Sequence, residues 1–145
     1  MPATQTRQVP AMGVWSAFFE PKDAFHLESV AFLRECERRR VEMFAPSLAI
    51  VETACAMARR QQDGAKGLAV ARSLQALPVL RWVDVDMTLI DEALTCGTRW
   101  LLRGADAIYA AAAASTGTTL VTWDNELIER AGGVTPSDWC SRKSK

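Results

Sequence analysis

A single aspartate inside an otherwise uncharged run of small residues constrains this chain more than any other feature. Between Arg103 and Asp124 the sequence reads Gly-Ala-Asp-Ala-Ile-Tyr-Ala-Ala-Ala-Ala-Ala-Ser-Thr-Gly-Thr-Thr-Leu-Val-Thr-Trp, and Asp106 is its only charge. The alanine-rich part has high helix propensity and stops at Gly117, after which Thr118 to Trp123 reads as a short β-branched strand. A helix followed directly by a strand implies α/β layering. Asp124 then falls where the strand gives way to a short helix, Asn125 to Arg130. The carboxyl ends of strands are where open α/β sheets bind ligands.

The rest of the chain supports the same class. Val9 to Phe19 is apolar and reads as a buried first strand with the turn after it, and Asp23 is placed to cap a helix from Ala24 to Arg40. Val41 to Ala45 suggests a brief second strand, and Pro46-Ser47 opens a helix from Leu48 to Arg60. Gly64 and Gly67 loosen a further helix, Ala65 to Leu77, which ends before Pro78. Val79 to Val85 has the character of a third strand, Thr88 to Leu102 is an amphipathic helix, and Val134-Thr135-Pro136 reads as a short last strand. Strands alternating with helices predict a three-layer α/β/α sandwich around a mostly parallel sheet.

At 145 residues, 49% of them apolar, the chain is sized for one compact core. We read residues 1–145 as a single domain, with 1–8 and 141–145 as disordered tails. Lysine plus arginine equals aspartate plus glutamate at 17 each, so no global field draws in a polyanion and function must come from a local site. Cys36, Cys55, Cys96 and Cys140 lack the spacing of a zinc site or a disulfide framework and fit a reducing cytoplasm. Pro10 and Gly13 break up what would otherwise resemble a signal-peptide core. No stretch reaches the roughly 18 apolar residues that a membrane span needs. The expectation is a cytoplasmic protein without membrane contact.

Glu52, Asp106 and Asp124 each interrupt or bound an apolar element that should be mostly buried, and an unpaired charge there costs several kcal/mol. Each has a structural explanation as a helix-start or N-cap acid. Together they carry a second one, because helix starts and strand ends gather on one edge of a parallel sheet. Carboxylates about 4 Å apart repel by roughly 1 kcal/mol at water's dielectric and about 4 at an effective value near 20, and a divalent cation reverses that sign. With one histidine and no clustered thiols, the donors are hard oxygens, which suit Mg²⁺ or Mn²⁺. His26 sits in a helix with no nucleophile elbow, which leaves no Ser-His-Asp rival. Arg38-Arg39-Arg40, Arg59-Arg60 and Arg99 are explained by helix ends and solvation, whereas Arg103, one turn before Asp106, faces the candidate site as a phosphate contact. Trp123, next to Asp124, offers a face to a base or packs in the core.

Arg103-Gly104-Ala105-Asp106-Ala107-Ile108-Tyr109-Ala110-Ala111 followed by Leu120-Val121-Thr122-Trp123-Asp124 resembles the carboxyl-terminal half of a PIN domain, the fold of VapC-type toxin ribonucleases. Pro46-Ser47-Leu48-Ala49-Ile50-Val51-Glu52-Thr53-Ala54 resembles that family's glutamate-bearing segment. The resemblance runs from about Val9 to Trp139. It implies an α/β/α sandwich, a Mg²⁺ or Mn²⁺ site held by Glu52, Asp106 and Asp124, and cleavage of single-stranded RNA. It further implies an antitoxin partner, a homodimer, and Thr122 beside Arg103 on the substrate side. One feature departs from it: the aspartate expected at the end of the first strand falls near Pro10-Ala11-Met12, and no acid precedes Glu20. Proline supplies neither a side-chain oxygen nor an N–H. A catalytically silent PIN-like module that binds a protein or RNA is therefore the alternative. A phosphoacceptor receiver domain would need an acidic pair after the first strand and a late lysine, and neither is present.

Overall fold

The computed structural model describes residues 7–142 and builds them around four short parallel strands. Central β1 (Arg7–Pro10) is flanked by β2 (Glu42–Pro46) and β4 (Thr119–Val121), and β3 (Leu80–Val83) pairs with β2, giving the order β3-β2-β1-β4. The register sets Gln8 against both Met43 and Thr119, and Pro10 against Val121. Parallel pairing requires a crossover between partners, so the carboxyl ends of all four strands share one edge. Gln8, Val9 and Pro10 are buried in succession, the mark of a strand covered on both faces.

Helix α6 (Gly104–Thr116) lies across β2, β1 and β4. Its buried alanines, Ala107 and Ala110 to Ala113, let it approach the sheet closely, and Gly117 ends it in the left-handed conformation at φ 64°, as the sequence predicts. Helix α5 (Met87–Arg99) packs along α6, so tightly at one point that a Cβ on Gly97 would stand 2.7 Å from the Ala107 Cβ. Helices α3 (Leu48–Gln61) and α4 (Gly64–Gln75) form a hairpin with a similar contact, where a Cβ on Gly67 would lie 2.6 Å from the Ala54 carbonyl oxygen. Gly67 thus permits close packing rather than loosening its helix. A further packed group contains α1 (Met12–Phe19), α2 (His26–Arg38) and α8 (Pro136–Ser141), in which Phe32 meets Trp139 edge-on at 5.3 Å. The α/β/α class is as expected.

Several local expectations are corrected. The apolar run after Pro10 is helix α1, not part of the first strand; Val14, Trp15 and Ala17 are all buried, so the helix is covered nearly all round and shows no amphipathic period. Arg7 and Gln8, assigned to a disordered tail, form the start of β1, while residues 1–6 and 143–145 lie outside the described residues. Asp23 does not cap α2. Its Oδ1 accepts the Phe25 N–H at 2.9 Å, and Phe25 holds the cap position without a side-chain bond. Val134 makes a single parallel bridge to Val121 instead of a strand, and Thr135-Pro136 opens α8, with Thr135 Oγ1 accepting the Asp138 N–H at 3.0 Å. Ser141, also assigned to a tail, closes that helix.

Candidate functional site

At the carboxyl edge, β4 runs out into Thr122, Trp123 and Asp124, and Asp124 caps α7 (Asn125–Ala131) by accepting the Glu126 N–H on Oδ1 at 2.8 Å. The Asp124 N–H in turn donates to Thr122 Oγ1 at 3.0 Å. Thr122, expected on the substrate side, is only 2% exposed, so it stands behind Asp124 and orients it. Trp123 is fixed by a 2.9 Å bond from its Nε1 to Ser29 Oγ and by a parallel stack with Phe25, centroids 4.4 Å apart.

Asp106 occupies the first turn of α6, where the helix dipole favours a negative charge. Leu101 at φ 56° and an extended Arg103 turn the chain into that helix. Glu52, on α3, is partly buried, and its Oε1 has no hydrogen-bond partner. The Tyr109 hydroxyl, close enough to Glu52 for each to shift the other, is likewise buried and stops short of a hydrogen bond. Burial pushes the Glu52 carboxyl above its ordinary range; the Asp106 charge adds to this and Tyr109 opposes it. Burial also pushes Asp106 up, reinforced by Asp124 and Glu126 and opposed by Arg103.

The Asp106 charge is thus felt at Glu52, and that of Asp124 at Asp106. Arg103 lies among the outer carboxylates, reaching Asp106 Oδ2 at 3.6 Å through Nε, and Asp124 Oδ2 at 3.6 Å and Glu126 Oε2 at 3.5 Å through Nη2. Glu126 was not among the residues expected from the sequence. It follows the cap residue by two positions in a helix whose polar face looks ordinary, and Arg130 also pairs with it at 2.7 Å. Tyr109 was missed as well, although it is the chain's only tyrosine and stands one turn beyond Asp106.

Pro10 ends β1 opposite Val121, with the Ala11 N–H donating to the Val121 carbonyl at 2.9 Å, so the expected first-strand acid is replaced at the site's edge. Glu20 does not fill that place: it lies beyond α1, buried, accepting from the Gln61 amide and the Lys22 N–H. As the side chains stand, no three acidic, histidine or cysteine groups among the described residues surround a point suited to a metal ion. The donor chemistry nevertheless fits a hard divalent cation. The Glu52 oxygen is unspent, Asp106 feels the repulsion of Asp124 and Glu126, and the arginine that offsets it is 72% exposed and free to withdraw.

His26, Arg38, Arg39 and Arg60 have partners within the fold. A His26 ring nitrogen bonds the Ala17 carbonyl at 2.8 Å. Arg38 and Arg39 pair with Glu35, Arg39 also donating to the Cys140 carbonyl and covering Trp139, and Arg60 pairs with Asp23.

The PIN domain family profile matches residues 13–133 of this chain. The chain belongs to the PIN domain family. Solved structures share the fold. This PIN domain superposes on VapC20 of Mycobacterium tuberculosis, described as a sarcin-ricin loop cleaving toxin, with a TM-score of 0.69 and 18% identity over 89% of this chain and 97% of that one. PAE2754 from Pyrobaculum aerophilum gives a TM-score of 0.69 at 20% identity, covering 95% of this chain and 89% of its own. A toxin-antitoxin complex from Klebsiella pneumoniae gives 0.67 at 16% identity, covering 89% and 97%. No curated protein sequence matches the chain. Among the described residues, no helix of this PIN domain is long and apolar enough to cross a membrane.

Proposed function

We propose that this PIN domain is a Mg²⁺- or Mn²⁺-dependent endoribonuclease of the VapC toxin type, cutting single-stranded RNA. One observation carries the reading: Arg103 gathers Asp106 and Asp124, and Glu52, which feels the Asp106 charge, keeps an unpartnered buried oxygen. Glu52, Asp106 and Asp124 would hold the cation, and Glu126, reached by the same Arg103, supplies a further carboxylate. When bound, the cation activates water and steadies the charge developing on the phosphodiester. Thr122 and the α7 amide fix the Asp124 carboxylate, Tyr109 screens Glu52 from water, and Arg103, once released, contacts phosphate. A site for RNA also accords with a cytoplasmic protein.

Purified protein incubated with unstructured RNA should cleave it with Mn²⁺ and not with EDTA, and Asp106→Asn should abolish the activity. Cleavage that survives this substitution would sink the assignment. The neighbouring toxins support a protein partner for this chain too, an antitoxin or a second copy. Leu94 and Leu101 stand exposed along a groove between α5 and α6 that such a partner would cover. Co-purification and the mass in solution test both.

Pro10 favours a second reading, in which the site binds RNA or protein without turnover. It expects no cleavage by the wild type, and tighter Mn²⁺ binding with gained activity in Pro10→Asp. Efficient metal-dependent cleavage by the unmodified chain would end it.

A further inference from the structure

Two aromatic rings flank the candidate site and no catalytic role uses them. Trp123 directly precedes Asp124, its indole is tied to Ser29, and one face lies against Phe25 with the planes 10° apart. Phe25 is nevertheless 44% exposed, so a large part of the residue is open to solvent although Trp123 covers one face of its ring. Its place in the chain is unusual, since it occupies the N-cap of α2, where Ser, Thr, Asp or Asn would stabilise the helix and Phe offers no capping bond. The ring is also held in position: the Phe25 N–H is accepted by Asp23 Oδ1 at 2.9 Å and its carbonyl accepts the Ser29 N–H at 3.0 Å. Each ring has a carboxylate within two residues, and each carboxylate holds an exposed arginine, Arg60 on Asp23 at 3.3 Å and Arg103 on Asp124 at 3.6 Å. A rigid, solvent-facing aromatic surface with two cations close by is what single-stranded nucleic acid uses, bases stacking and phosphates pairing.

We infer that Phe25, backed by Trp123, is a stacking subsite for one unpaired nucleobase of the RNA, with Arg60 and Arg103 meeting the adjoining phosphates. This rests on the RNA-cleaving reading above and adds a preference for unpaired over duplex substrate at a named residue. A ring that merely covers Trp123 would be replaceable by any apolar side chain, whereas a stacking surface needs a π face. The test is therefore Phe25→Leu against Phe25→Trp. Binding of a short fluorescein-labelled mixed-sequence RNA, single-stranded or annealed, is followed by anisotropy in EDTA, which prevents turnover. The variants are compared at equal folded fraction from their melting curves.

Phe25→Leu should weaken single-strand binding about tenfold, the scale of one lost base stack, and leave duplex binding unchanged. Phe25→Trp should bind at least as tightly as the wild type. If Phe25→Leu binds single strands like the wild type, or Leu and Trp weaken binding alike, the subsite is overturned while RNA recognition stands. If the wild type binds no RNA in EDTA and cleaves none in Mn²⁺, the ribonuclease reading fails and the subsite fails with it; if it cleaves in Mn²⁺ without binding in EDTA, the subsite alone is overturned.

Discussion

Arg103→Ala removes a cation that reaches three carboxylates and leaves Arg130 paired with Glu126, and its consequence can be sized from the distances. Asp124 Oδ2 and Glu126 Oε2 lie 3.6 and 3.5 Å from the same Nη2, so they stand at most about 7.1 Å apart. Two unit negative charges at that separation repel by about 0.6 kcal/mol at water's dielectric and about 2.3 kcal/mol at an effective constant of 20. Arg103 is 72% exposed, which puts the true value near the solvent end, and exposed pairs each contribute only about 0.2–1 kcal/mol. The variant should therefore lose about 1 kcal/mol in low salt without metal, or roughly 3–4 °C in melting temperature for a domain of this length. Near 1 M salt, where the screening length falls to about 3 Å, the gap should close. Saturating Mn²⁺ should raise the melting temperature of the variant more than that of the wild type, because the cation no longer competes with a guanidinium. Thermal unfolding followed by circular dichroism, in EDTA and in Mn²⁺ at two salt concentrations, reads all three effects. Equal melting in low-salt EDTA, or a gap indifferent to salt, would show that Arg103 is not the counter-charge of this cluster.

Other consequences concern pH and packing. The folded protein holds the Glu52 and Asp106 carboxyls above their ordinary range, so each weakens the fold above its folded pKa, and the penalty vanishes as pH falls below the unfolded value of about 4. Metal-free Asp106→Asn should accordingly be more stable than wild type at pH 7 and lose that advantage near pH 4, as measured by urea unfolding; an advantage independent of pH would contradict the burial argument. Gly97→Val should destabilise the domain by about 1–3 kcal/mol through overpacking against Ala107. It should also weaken Mn²⁺ binding in titration calorimetry, since Ala107 carries the backbone next to Asp106, and unchanged affinity would show that α6 absorbs the strain elsewhere.

The segment from Gly104 to Asp124 was legible from its residues because each step depends on near neighbours. Alanines favour a helix, Gly117 accepts the left-handed cap at little cost, Thr and Val favour extension, and Asp124 caps the next helix through an amide two residues on. Helix α1 was not legible, because burial on nearly every side erases the period that marks a helix and leaves an apolar run that suits either conformation. Gly67 shows the same limit in reverse: its backbone freedom is evident from the sequence, and the Ala54 carbonyl that demands it lies on another helix.

The sequence by itself marked Glu52, Asp106 and Asp124 as charges out of place in apolar elements, which is a local property. That Glu52 feels the Asp106 charge, that Glu126 and Asp124 meet at Arg103, and that Phe25 covers Trp123 were decided only by the tertiary structure. Those contacts join positions far apart in the chain, and their geometry follows from the strand order β3-β2-β1-β4 and the close seating of α6 on the sheet. Electrostatic coupling falls with distance through space and is blind to separation along the chain.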